Sequence, residues 1–233
     1  GYGMAEAGRD YNTVNIGEYE LHNTVLPPFK AAAAAGVATF MNSFNEIDGI
    51  PSTANKMLQR DMLKGEWGWD GFMVSDWGSI GEMMAHGYAK NKKHAAEIAL
   101  NAGSDMDMES YAYEEHLENL LKENKISIAQ IDDAVKRVLR VKFRLGLFDD
   151  PYKYCDEDRE KNDVYTKEHL ALARDVAKKS IVLLKNQNKL LPLSKTIKSI
   201  AVIGPLADDK DSPLGNWRGM GEYNSAVSLL EGV

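Results

Sequence analysis

Asp70-Gly71-Phe72-Met73-Val74-Ser75-Asp76-Trp77-Gly78 is the stretch whose reading decides the fold of this chain. Asp-Gly is a strong turn signal, and the short apolar run behind it, residues 72–75, reads as a buried strand because turn formers bound it at both ends. The strand delivers an aspartate and a tryptophan to its carboxyl end. Working outward, residues 38–44 form a second candidate strand and residues 104–108 a weaker third. Helical patterns lie between them. Pro27 and Pro28 suit a first helical turn, the alanine run 31–35 favours helix, and Gly36 can cap its end. Residues 55–64 before Gly65, and 93–101 before Gly103, repeat this helix-then-glycine punctuation. Strands alternating with helices up to Leu147 are the sequence form of repeated β-α units around a parallel sheet.

Ser127 and Gln130 have the spacing of a capping box, followed by Ile128, Ile131, Val135, Val138 and Leu139 at helical intervals. Lys136, Arg137, Arg140 and Lys142 are expected on the solvated face of that helix, toward its negative end. Residues 149–165 are polar and carry Pro151, so they read as a linker. A second α/β unit starts behind it: Leu170, Ala173, Val176, Ala177, Ile181 and Leu184 make an apolar helical stripe, and residues 199–204 read as a β-branched strand.

The chain has 233 residues, 44% apolar and 27% charged, which is the make-up of a globular protein. Its 28 basic and 35 acidic side chains leave a net charge of -7, whose field repels nucleic acid and anionic membranes. No apolar run approaches the roughly 20 residues of a membrane helix. A single cysteine, Cys155, permits no internal disulfide and leaves the compartment open. The five histidines lack metal-ligand spacing, and the glycine-rich residues 215–221 lack the pattern of a phosphate or dinucleotide loop. Neither a metal nor a cofactor is expected. The chain opens at Gly1 without an initiator Met or signal-peptide pattern and stops within the apolar run 226–230, so both ends read as unfinished.

In parallel β-α barrels the site gathers at the carboxyl ends of the strands, where Asp76 stands. An aspartate there also suits the N-cap of a following helix. Trp77 adds a flat apolar platform for the C–H face of a sugar ring, while the carboxylate would meet positive charge developing at the anomeric carbon. An ordinary half-buried core aromatic is the plainer reading of Trp77, as of Trp67 and Trp69. Asp105 and Asp107 alternate along the third strand and read as polar filling or loop caps.

Five further landmarks accompany this segment: Gly8-Arg9-Asp10-Tyr11-Asn12, Met41-Asn42-Ser43-Phe44-Asn45 with Asp48-Gly49, Leu145-Gly146-Leu147-Phe148, Leu183-Leu184-Lys185-Asn186 and Ala201-Val202-Ile203-Gly204-Pro205. In this order, over essentially the whole chain, they resemble glycoside hydrolase family 3. The resemblance implies an α/β chain made of the C-terminal half of a (β/α)8 barrel (residues 1–148), a linker (149–165) and the start of an α/β sandwich domain (166–233). It implies Asp76 as the catalytic nucleophile of a retaining exo-acting β-glucosidase. Arg9 would hold sugar hydroxyls, and Met41 and Trp77 would line the same subsite. Many relatives have tyrosine at Phe44, which is therefore kept out of the catalytic set.

The family's sugar-gripping Lys-His pair would lie before Gly1. One branch of the family carries a histidine acid/base in the loop that residues 3–12 resemble, and this sequence has none there. The resemblance then implies the branch whose glutamate acid/base would fall beyond Val233. Retention needs two carboxyls about 5 to 5.5 Å apart, so this chain alone is expected to be inactive. A closed eight-stranded barrel takes roughly 200 residues or more. The expected partners are therefore a β-linked oligosaccharide or glycoside and the missing strands and acid/base, from the same polypeptide or another chain. A homo-oligomer fits as well. β-Xylosidase specificity and a non-catalytic sugar-binding fragment are the alternatives, and the resemblance favours a periplasmic or secreted setting.

Overall fold

The computed structural model describes residues 4–9, 11 and 13–233, and two units are distinguishable, Gly1–Asp156 and Glu157–Val233. Asp10 and Asn12 of the first landmark lie outside the described residues. In the first unit, strand β1 (Thr39–Met41) runs parallel to β4 (Phe72–Val74), with Thr39 opposite Phe72, Phe40 opposite Met73 and Met41 opposite Val74. Between them in sequence comes a separate small antiparallel hairpin, β2 (Glu46–Ile47) and β3 (Ile50–Pro51). On the other side of β4 a parallel bridge joins Val74 to Met106.

The third strand expected at 104–108 thus shrinks to a single bridge. Side chains take over part of the pairing beside that bridge: the Asp105 carboxylate takes the Met73 N–H (2.8 Å), and the Ser75 hydroxyl takes the Met108 N–H (2.8 Å). β1 and β4 are likewise shorter than the apolar runs that announce them.

Helix α1 (Glu18–Glu20) passes through a π-helical segment, Leu21–Val25, into α2 (Leu26–Ala34), whose first turn holds the two prolines. Gly36 follows at φ +85°, where a side chain would be strained. The helix expected at 55–64 is wound as a π-helix, Met57–Glu66, closed by a Trp67 N–H to Met62 carbonyl bond of 2.8 Å. After β4 come α3 (Ser79–Glu82) and α4 (Lys92–Ala102), the latter capped by the Asn91 side chain and ended by Gly103 at φ +110°. α5 (Ala112–Lys122) and α6 (Ile128–Arg144) complete the set, with the Ser127/Gln130 capping box formed.

Ile80, Met83, Ala95, Ala99, Leu100 and Leu120, all essentially without solvent contact, form the core beneath α3–α6. Alanines on α4 let α5 approach closely. A second cluster joins Val14, Ile16, Leu21, Val25, Leu26, Ile47 and Met62, and a third joins Leu63, Trp69 and Met73. Trp69 is a core residue as read, 5% exposed, with its indole N–H on the Val37 carbonyl (2.7 Å).

The basic residues of α6 depart from expectation. Lys136 and Lys142 are exposed, but Arg137 donates to the carbonyls of Trp69 (3.2 Å) and Gly71 (3.0 Å), and Arg140 to that of Asp70 (2.8 Å). Arg144 pairs with the Asp70 carboxylate. The turn leading into β4 leaves carbonyls without ladder partners, and guanidinium groups satisfy them.

The second unit contains α7 (Glu157–Asp163), within the stretch read as linker, then α8 (Lys167–Ser180), capped by Thr166, and α9 (Leu229–Gly232). No strand occurs among its described residues, so the strand expected at 199–204 is not formed. A ladder needs a partner, and this run finds none: Ile203 is 90% exposed. No residue of α8 is buried either.

Candidate active site

Each predicted site residue can be followed from its element. β4 ends at Val74, and its direction carries Ser75 inward and Asp76 outward, since successive side chains alternate. Asp76 is half-buried and Trp77 is 65% exposed. The Trp77 N–H donates to Asp76 Oδ1 (2.7 Å), and the Asp76 carbonyl accepts from the Ser79 N–H (3.1 Å). Gly78, at φ +70°, is the N-cap of α3 and no side chain caps that helix, so Asp76 is not its cap.

Met41 closes β1 and lies opposite Val74, which brings it to the same end of the sheet as Asp76; it is 55% exposed. Arg9 is exposed, beside the short 3-10 turn Glu6–Gly8. The segment that carries it is stitched to the β2–β3 hairpin. Val14 N–H bonds the Glu46 carbonyl (2.8 Å), Asp48 N–H bonds the Val14 carbonyl (3.0 Å), and the Thr13 hydroxyl bonds the Glu46 carboxylate (2.5 Å). Because the hairpin follows β1 directly, the segments that carry Arg9, Met41 and Asp76 are connected: strand register joins the last two, and the hairpin links in the first. Tyr11 stacks on Phe44 with ring centroids 4.3 Å apart, so Phe44 packs the Arg9 loop onto the loop after β1.

A second carboxyl, that of Glu82, lies on α3. Burial lifts the Glu82 carboxyl above its ordinary range; the charge of His86 opposes the shift and that of Asp76 adds to it. His86 in turn lies 3.7 Å from the Glu46 carboxylate.

The model of the glycosyl hydrolase family 3 N-terminal domain matches residues 1–141, and that of the family's C-terminal domain matches residues 181–233. The chain belongs to glycosyl hydrolase family 3. Among family 3 relatives, it is 40% identical over 235 residues to a periplasmic beta-glucosidase of Salmonella typhimurium, covering 100% of this chain and 31% of the relative. A beta-xylosidase of Formosa agariphila is 37% identical over 247 residues, covering 100% of this chain and 34% of the relative. Of solved structures, the beta-glucosidase from Listeria innocua in complex with glucose superposes with a TM-score of 0.82 at 44% identity, covering 99% of this chain and 31% of that one. The chain thus has a family 3 α/β fold and spans about a third of the length of these relatives.

Two residues near this candidate site escaped the sequence reading. Ser75 and Glu82 looked like ordinary polar positions, yet Ser75 is fully buried beneath the carboxylate-bearing turn. Asp107 accepts N–H bonds from Ser110 (3.2 Å), Ala112 (2.7 Å) and Tyr113 (3.2 Å), and so shapes the loop at the start of α5. The signal for Ser75 was strand alternation: the residue before an outward aspartate must face in.

Proposed function

We propose that this chain is the nucleophile-bearing part of a retaining, exo-acting β-glycosidase that removes terminal β-D-glucosyl residues. Asp76 attacks the anomeric carbon, the bond from that carbon to the leaving oxygen breaks, and a carboxyl carried outside residues 1–233 protonates the oxygen. Water then releases the sugar from the glycosyl-aspartate, with the same outside carboxyl now accepting the proton. Trp77 and Met41 offer apolar faces to the ring and Arg9 holds its hydroxyls. The observation that carries the reading is a half-buried aspartate at the end of a parallel strand, engaged through only one carboxylate oxygen among the described residues and flanked by an exposed indole.

In this reading residues 1–148 belong to a (β/α)8 barrel, 149–165 connect, and 166–233 begin a sandwich domain. The remaining strands and the acid/base come from the rest of a parent polypeptide of the relatives' length. The periplasmic relative favours a periplasmic or secreted setting. The Formosa agariphila relative supports the second reading, xyloside specificity.

Rates of the parent protein on nitrophenyl β-glucoside and β-xyloside separate the two. The proposal expects the glucoside to be faster and Asp76→Ala to abolish hydrolysis of both. An Asp76→Ala protein that keeps its activity would overturn the assignment, and a faster xyloside would replace the specificity.

A further inference from the structure

We propose that Ser75 is a positioning residue that sets the Asp76 carboxylate for attack; this rests on Asp76 being the nucleophile. The Ser75 side chain is 0% exposed. Its hydroxyl has one proton to give and lone pairs to accept with, and both capacities are used. It donates to the Asp76 carbonyl (3.0 Å) and accepts the Met108 N–H (2.8 Å). Two backbone bonds flank this one: Ser75 N–H to the Met106 carbonyl (2.9 Å) and Gly78 N–H to the Met108 carbonyl (2.8 Å). The turn 75–78 is therefore fastened to residues 106–108 at three points, with Asp76 held between them.

Of the three fastenings, the hydroxyl alone reaches the peptide unit of Asp76 itself. With the Ser79 N–H it fills both lone pairs of that carbonyl, which fixes the peptide plane from which the carboxylate projects. The Trp77 N–H on Oδ1 then fixes the carboxylate rotation. Without the hydroxyl, the Met108 N–H loses its acceptor and the turn is free to tilt. A misplacement of the nucleophile of about 1 Å costs on the order of a hundredfold in rate.

The test uses the parent protein and a 2-deoxy-2-fluoro-β-glucoside with a dinitrophenyl leaving group, which reports binding (KI) and covalent attack (kinact) separately. Ser75→Ala is expected to lower kinact by about ten- to a hundredfold with KI changed by less than about threefold. Ser75→Cys, close in size but a weak hydrogen-bonding group, is expected to fall between. Ser110→Ala is the control, since it removes a buried hydroxyl that accepts the Gly81 N–H (3.0 Å) and does not touch Asp76. It should leave both constants near wild type. Should Ser75→Ala not fold, Ser75→Cys decides alone. Wild-type labelling at Asp76 with kinact unchanged in the Ser75 variants, or with only KI raised, overturns this proposal and spares the nucleophile. A wild type that forms no adduct at Asp76 overturns both.

Discussion

Lys64 Nζ stands 2.6 Å from both carboxylate oxygens of Asp105, and the two side chains are only 3% and 1% exposed. Asp105 also takes the Met73 N–H, and Lys64 also donates to the Gly103 carbonyl (2.6 Å), so the pair ties the π-helix to the edge of β4. Burial pushes Lys64 from its ordinary 10.5 down to about 8 against the attraction of Asp105, and pushes Asp105 upward against that of Lys64. Both shifts run toward the neutral forms: desolvation outweighs attraction here. Removing one partner, by Lys64→Met or Asp105→Asn, is expected to cost about 3–5 kcal/mol, while Lys64→Met/Asp105→Asn together cost less than the sum. Urea unfolding followed by tryptophan fluorescence measures this, and additive single effects would contradict it.

The same lysine gives a pH dependence. Its folded pKa lies below its unfolded one, so between about 8 and 10.5 the unfolded chain holds more protons and raising the pH favours folding. The strain of the buried charge is fully present below about 8 and relieved toward 10.5. Relative to the Lys64→Met/Asp105→Asn protein, wild type should therefore gain stability between pH 7.5 and pH 10, two settings on the order of that window. A constant difference in urea midpoint would show that the lysine does not titrate there.

Gly71 is required by space. A Cβ at this position would lie 2.3 Å from the Ala38 carbonyl oxygen and 2.4 Å from the Trp69 ring, which is itself anchored on Val37. Neither neighbour can retreat without opening the β1–β4 pairing or the indole bond. Gly71→Ala is expected to cost about 1–3 kcal/mol or more, read as a lowered Tm. An unchanged melting curve would mean that the turn into β4 is looser than its geometry.

Arg137 and Arg144 sit two turns apart on α6 and should differ in weight. Arg137, whose side chain is 14% exposed, serves two carbonyls and the Asp133 carboxylate, whereas Arg144 makes an exposed pair with Asp70. Arg137→Ala is expected to destabilise by about 1–3 kcal/mol, and Arg144→Ala by about 0–1 kcal/mol. Equal shifts in urea midpoint would refute this ranking.

Much of strand β4 was legible in the sequence, because turn residues bound a short apolar run. The capping box of α6 and the glycine stops were legible for the same reason: both are local. What escaped was set by distant neighbours. Lys64 and Asp105 meet across 41 positions, and Arg137 reaches Gly71 across 66, separations that no periodicity encodes. Residues 199–204 have the composition of a strand, yet composition supplies no partner, and they remain without a ladder. Of the site, family landmarks pointed to Arg9, Met41, Asp76 and Trp77, while Ser75 and Glu82 emerge only from burial and charge around them.

Covalent attachment of the sugar to Asp76 is the decisive property. The parent protein, incubated with the dinitrophenyl 2-deoxy-2-fluoro-β-glucoside and digested, should yield one peptide heavier by a single fluoroglucosyl group, with the added mass on Asp76. A label on another residue, or reversible binding with no adduct, would contradict the account.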